Sequence, residues 1–127
     1  MNILIVDDHE EIRQMLREML QENGYHVFVA ENGKQAIDLL GVNKIDLIIS
    51  DILMPEIEGV EFILRLRQSK IPVIAISGLR REDVVAQFFA SIGVVGFLQK
   101  PFMVNDVAVL VNNARKTRKM KEYNKNS

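Results

Sequence analysis

An α/β fold, a doubly wound parallel sheet with helices on both faces, is what this 127-residue chain predicts, and three observations carry it. Short apolar runs alternate with helix-periodic segments five times along the chain. The runs NILIV, DLIIS, PVIAI and VVGFL are nearly unbroken in apolar residues, as strands buried on both faces are. Each is followed, at or shortly after its carboxyl end, by polar residues: Asp7-Asp8, Asp51, Ser77 and Lys100-Pro101. In an open α/β sheet that edge is where ligands bind.

The elements follow in order. Asn2 to Val6 reads as the first strand. Ile12, Met15, Leu16, Met19 and Leu20 then fall on one helical face, and Asn23-Gly24 closes that helix. Tyr25 to Ala30 reads as the second strand, Asn32-Gly33 as a turn, and Lys34 to Leu40 as a short second helix. Asp46 to Ser50 is the third strand. Pro55 and Gly59 bracket a loop before a helix over Val60 to Gln68. Ile71 to Ile76 is the fourth strand, with Pro72 tolerated near its beginning. A fourth helix over Glu82 to Ser91, a fifth strand over Val94 to Leu98 and a last helix from Met103 to about Met120 complete the pattern. Right-handed crossovers bring the ends of strands one, three, four and five together.

Composition narrows the function classes. Hydrophobic residues make up 48% and charged residues 26%, the balance of one soluble globular domain. The apolar runs are too short to span a membrane. The chain starts directly with a strand and shows no charged-then-apolar leader, so a cytoplasmic location is expected. No cysteine is present, which excludes disulfides and thiolate metal sites. Residues 115 to 127 carry six Lys/Arg and one Glu, net +5, which leaves net −6 for positions 1 to 114. Without aromatic interleaving or a DNA-reading motif, this basic end reads as the solvated end of the last helix, and no direct nucleic-acid partner is expected. The expected division is a domain over residues 1–120 and a polar basic tail over 121–127.

The polar residues at the sheet edge describe phosphoryl-transfer chemistry. Three carboxylates about 5 Å apart repel by about 3 kcal/mol per pair at an effective dielectric near 20. Asp7, Asp8 and Asp51 would therefore be held ionised by a cation, and Mg²⁺ suits oxygen ligands while keeping waters for a phosphate donor. Asp51 is the candidate nucleophile, Lys100 a second positive contact for a phosphoryl group, and Ser77 a hydroxyl donor to it. Each residue alone has a plainer reading: an N-cap for Asp8, a surface ammonium for Lys100, a backbone-bonding hydroxyl for Ser77. All four strand ends carrying suitable groups at once favours the site. His9 reads as solvated, His26 as exposed on its strand, and the six Met residues as packing.

Together the segments LIVDD (Leu4 to Asp8), SDILMPEIEG (Ser50 to Gly59), PVIAISG (Pro72 to Gly78) and GFLQKPF (Gly96 to Phe102) resemble the receiver domain of two-component response regulators, over essentially the whole chain. The resemblance implies a flavodoxin-like five-stranded parallel sheet of order 2-1-3-4-5. It implies phosphorylation of Asp51 by a histidine kinase or a phosphotransfer protein. Metal would bind through Asp8, Asp51 and the backbone carbonyl of Leu53, with Asp7 acting through water. Ser77 matches the switch hydroxyl, Phe97 the switch aromatic and Lys100 the family lysine, with Lys100-Pro101 as a cis bond. Gly78 stands where the family more often has Ala, and Phe97 where Tyr is frequent; neither removes a catalytic group.

The implied function is a phosphorylation-activated switch that catalyses only its own modification. Its output would pass through the face made by the fourth helix, the fifth strand and the fifth helix, to an effector protein or domain or to a phosphorylation-dependent homodimer. Val84, Val85, Phe88 and Phe89 are too many apolar groups for one core stripe and suit that face. Leu53 and Leu79 are expected to limit water access to the phosphate. The alternative, a small Mg²⁺-dependent phosphatase or phosphotransferase with an Asp nucleophile, lacks a second acid shortly after Asp51, since position 53 is Leu. A flavodoxin-like binding module is disfavoured by the missing phosphate loop after strand one.

Overall fold

The computed structural model describes residues 1–51, 57–78 and 92–126, with the side chains of 57–60 and 119–126 left aside. Five parallel strands, β1 (Asn2–Val6), β2 (His26–Ala30), β3 (Leu47–Asp51), β4 (Val73–Ser77) and β5 (Val94–Gln99), form one sheet. Their order is β2-β1-β3-β4-β5, the predicted one. Helices α1 (Glu10–Glu22), α2 (Gly33–Val42), α3 (Ile57–Ser69) and a C-terminal helix (Val104–Asn126) connect and follow the strands.

Side-chain alternation divides the core into two layers. Ile3, Ile5, Leu47, Ile49, Ile74 and Ile76 face α1 and the C-terminal helix, meeting Leu16, Leu20, Val107 and Val111. Leu4, Val6, Ile48, Val73 and Ala75 face the other way, onto Ala36 of α2 and Phe62 and Leu66 of α3. Ile3 to Val6 are fully buried, which is why β1 carries no polar position after Asn2. Burying each such side chain contributes about 1.5–3 kcal/mol. At the sheet's edge β5 is only partly buried, and Val95, passed over where the ladder shifts register between Val73 and Ile74, is 58% exposed.

Several boundaries differ from the sequence reading, each for a physical reason. Tyr25 sends its N–H back to the carbonyl of Leu20 at 3.1 Å, completing with Gly24 (φ 85) a C-terminal turn of α1, so β2 begins only at His26. Asn32-Gly33 is a helix start rather than a turn: the Asn32 side chain accepts the Gln35 N–H at 2.9 Å, and α2 runs from Gly33 to Val42. Gly59 does not close a loop; it lies inside α3. Pro72 has no N–H to give a ladder, so β4 starts at Val73, although the Pro72 carbonyl still accepts the Ile48 N–H at 3.1 Å. The C-terminal helix runs to Asn126 instead of stopping near Met120. The expected helix over Glu82 to Ser91 lies outside the described residues, as do Leu53, Pro55 and Leu79.

Candidate functional site: an acidic cluster closed by Lys100

The strand ladder itself delivers the site. Asp51 is the last residue of β3 and pairs with Ile76, while Ser77 is the last residue of β4 and pairs with Gln99. The pairing extends into these polar residues because ladder hydrogen bonds use the backbone, whatever the side chain. Asp7 leaves β1 with its N–H on the carbonyl of Ala30 at 3.2 Å. Its side chain is fully buried. Lys100 follows β5, gives its N–H to the Ser77 carbonyl at 2.7 Å, and precedes Pro101 through a cis peptide bond.

Lys100 Nζ lies 3.1 Å from Asp7 Oδ2 and 3.2 Å from Asp51 Oδ2. One ammonium therefore bridges the carboxylates at the ends of two neighbouring strands. Its side chain is 18% exposed, and that of Asp51 17%. Burial presses the Lys100 pKa down, yet the hydrogen bonds and charges of Asp7 and Asp51 outweigh it and hold the pKa above the usual 10.5. The ammonium is thus charged at any physiological pH.

Asp7 and Asp8 diverge as adjacent residues do. Asp8 is 72% exposed, at the mouth, while Asp7 is wholly enclosed. Asp7 Oδ1 accepts the backbone N–H of His9 at 2.8 Å. Asp7 Oδ2, also buried, is paired with the Lys100 ammonium at 3.1 Å. The oxygen-rich donor set suits a hard divalent cation. Among the described residues, Asp7, Asp8 and His9 bring one ligating atom each within 4.8 Å of one another.

Ser77 is fully buried at the end of β4. Phe97 pairs with Ala75, two residues before Ser77, so both project from the same sheet face; Phe97 is half-buried against that layer. It also borders a groove of about 400 Å³ with Phe102, Asp106 and Val109. The structure brings together Asp7, Asp8, Asp51 and Lys100 and sets Ser77 on the backbone of Lys100. Leu53 lies outside the described residues.

His9 is exposed, as expected, and also lies at the site mouth, with Nδ1 3.0 Å from Asp7 Oδ1, 3.0 Å from Asp8 Oδ1 and 3.3 Å from Lys100 Nζ. One residue escaped the sequence reading. Arg13 donates to the carbonyl of Asp7 at 2.7 Å and fixes the turn that carries the acids; nothing in its helical position announced this. His26, in contrast, is exposed as expected and stacks on Phe28.

The model of the response regulator receiver domain matches residues 3–112. The chain belongs to that family. Among curated proteins it is similar to the transcriptional regulatory protein CpxR of Escherichia coli, 38% identical over 101 residues, which cover 79% of this chain and 43% of CpxR. It is also similar to the probable transcriptional regulator ycf29 of Pyropia yezoensis, at 32% over 117 residues covering 87% of this chain and 51% of the relative. The chain thus spans about half the length of the curated relatives it matches. Among solved structures, the chemotaxis response regulator CheY4 of Vibrio cholerae is 30% identical with a TM-score of 0.77, covering 89% of this chain and 97% of that one. The response regulator TrrA of Thermotoga maritima, solved in complex with Mg²⁺-BeF, is 31% identical with a TM-score of 0.73, at 89% and 97% coverage. This receiver-domain family is one of signalling switches, and Mg²⁺ is typical of it. Among the described residues, no helix is long and apolar enough to cross a membrane.

Proposed function

We propose that this chain is the phosphorylation-activated switch of a two-component phosphorelay, with Asp51 as phosphoacceptor. The observation that carries the reading is the Lys100 ammonium held at 3.1 and 3.2 Å between Asp7 and Asp51. A cation fixed against the nucleophile is also positioned for the oxygens of an incoming phosphoryl group.

An Asp51 carboxylate oxygen attacks phosphorus in line, and the bond from phosphorus to the donor's imidazole nitrogen breaks. The electron pair leaves with the imidazole, which takes a proton from water. Lys100 stays protonated throughout and neutralises the transferred oxygens. Asp7 and Asp8, with Asp51 and the Leu53 carbonyl, would hold Mg²⁺, which supplies charge neutralisation when bound. Ser77 donates its hydroxyl to a phosphoryl oxygen, and the space it vacates admits the Phe97 ring from the same sheet face. One local charge change thereby biases a two-state element.

The phosphodonor is a histidine kinase or phosphotransfer protein. The effector, or a second phosphorylated copy, docks on the face of β5 and the C-terminal helix, together with the helix the sequence predicts over residues 82–91. The receiver unit covers 1–120, the remaining residues form its polar basic tail, and the setting is cytoplasmic. Intact mass after incubation with acetyl phosphate tests the core of this. A single Mg²⁺-dependent adduct, labile to hydroxylamine and lost in Asp51→Ala, is expected. Steady turnover of a phosphoester without an adduct would instead favour the phosphatase alternative.

A further inference from the structure

At the amino ends of β3, β4 and β5, away from Lys100, the sheet and the C-terminal helix enclose a cavity of about 470 Å³. The start of β3, the turn from α3 to β4, the start of β5 and the middle of the C-terminal helix supply its walls. The volume falls within the range of about 300–1,000 Å³ usual for small-molecule sites. Ile71, Pro72, Val95, Leu110 and Ala114 make most of the lining apolar.

The charges around this cavity are unequally engaged. Asp46 has both carboxylate oxygens occupied, one 3.0 Å from Arg118 and the other accepting the Asn2 N–H at 2.8 Å. Lys70 lines the same cavity at its exposed rim, and among the described residues its ammonium makes no ion pair or hydrogen bond. The backbone fixes its place: φ is 59, a left-handed conformation that residues other than Gly, Asn and Asp seldom adopt. Ser69 holds that turn, its Oγ donating to the Leu66 carbonyl at 2.9 Å and accepting the Ile71 N–H at 3.2 Å. An apolar cavity with one uncommitted ammonium at its rim complements an apolar body that carries one negative charge.

We infer that the cavity binds a small amphipathic carboxylate, its apolar chain against Ile71, Pro72, Val95 and Leu110 and its carboxylate on Lys70. A single available ammonium suits a monoanion rather than a phosphate, whose sites gather several donors. Such a ligand touches the sheet and the C-terminal helix at once, and so fastens one to the other. The inference goes beyond the phosphoryl switch at the other pole, and neither depends on the other.

The test is a titration of the full chain with octanoate, followed by backbone amide NMR. Saturable shifts are expected at Ile71, Gly93, Val95 and Ala114, with the amides of Asp8 and Asp51 unmoved. Octylammonium, the same chain with the opposite charge, should bind more weakly. Lys70→Asn removes the charge while keeping a residue type that tolerates the left-handed backbone. It should weaken octanoate about threefold, the size expected of one exposed charge pair, and leave uncharged octan-1-ol unaffected. Ala114→Leu, which fills one wall, should abolish binding of both. Three results would overturn the inference: no saturable shift, shifts spread equally over the grooves beside Met15 and Val109, or octanoate affinity unchanged in Lys70→Asn.

Discussion

Lys100 and Ser77 are joined through the backbone, the Lys100 N–H meeting the Ser77 carbonyl at 2.7 Å. The ammonium that bridges two carboxylates and the hydroxyl assigned to the switch therefore hang from one rigid pair of strand ends. A shift of either backbone is passed to the other through this bond.

Removing the ammonium should expose the strain of the acidic cluster. Lys100→Met leaves Asp7, fully buried, with a charge no longer paired. Breaking a buried pair from one side costs about 3–5 kcal/mol, and partial exposure of Asp51 puts the expected loss at the low end. Mg²⁺ should restore much of it by standing in as a positive partner. Urea unfolding with and without Mg²⁺ checks both, and equal stability of the two proteins would show that the bridge contributes nothing.

The pH dependence of that contribution has a definite sign. Burial lowers the Lys100 pKa, but Asp7 and Asp51 raise it further, so the folded state binds this proton more tightly than the unfolded state. The contribution is complete below 10.5, the usual lysine value, and is lost as pH rises through the higher folded value. The stability difference between wild type and Lys100→Met should hold steady across the neutral and mildly alkaline range and shrink above pH 10.5.

At the opposite edge of the sheet, Asp46 accepts the Asn2 N–H at 2.8 Å and pairs with Arg118 at 3.0 Å. Asp46→Ala should cost about 1–3 kcal/mol, because it leaves a backbone donor unsatisfied. Arg118→Ala, removing a partner 35% exposed, should cost less than about 1 kcal/mol. The reverse order in thermal unfolding would overturn this account of the clasp.

Two glycines near β5 should respond differently to alanine. At Gly93, with φ 84, any side chain is strained, and its Cβ would also meet the Ile71 carbonyl at 3.3 Å; about 1–2 kcal/mol should be lost. At Gly96 a Cβ would lie 3.0 Å from Leu110 Cδ2, the far end of a flexible side chain. Gly96→Ala should therefore be recovered in part by Leu110→Val, whereas Gly93→Ala should not. Denaturation midpoints of the four variants decide it.

The strands and the polar edge were legible in the sequence because buried parallel strands must be apolar throughout and their ends need not be, while the strand order was implied by the family resemblance. Asp7, Asp51, Ser77 and Lys100 all stand where that logic put them. Boundaries were less legible where one residue type serves two purposes. Asn32-Gly33 has the composition of a turn and the hydrogen bond of a cap, and Gly59 sits in α3 at a cost of about 1 kcal/mol that the rest of the helix absorbs. Arg13 was illegible for another reason. Its reach to the Asp7 carbonyl depends on the φ and ψ of a non-repeating turn, which periodicity does not encode.

The Asp46–Arg118 clasp also sets the molecule's lever arm. It pins the C-terminal helix beside the start of β3, while Asp51 closes the other end of the same strand. Five residues of extended chain separate the two by about 17 Å. A cargo joined to that helix would sit at the pole remote from the chemistry, so news of a bound phosphoryl group would have to cross the depth of the sheet to reach it.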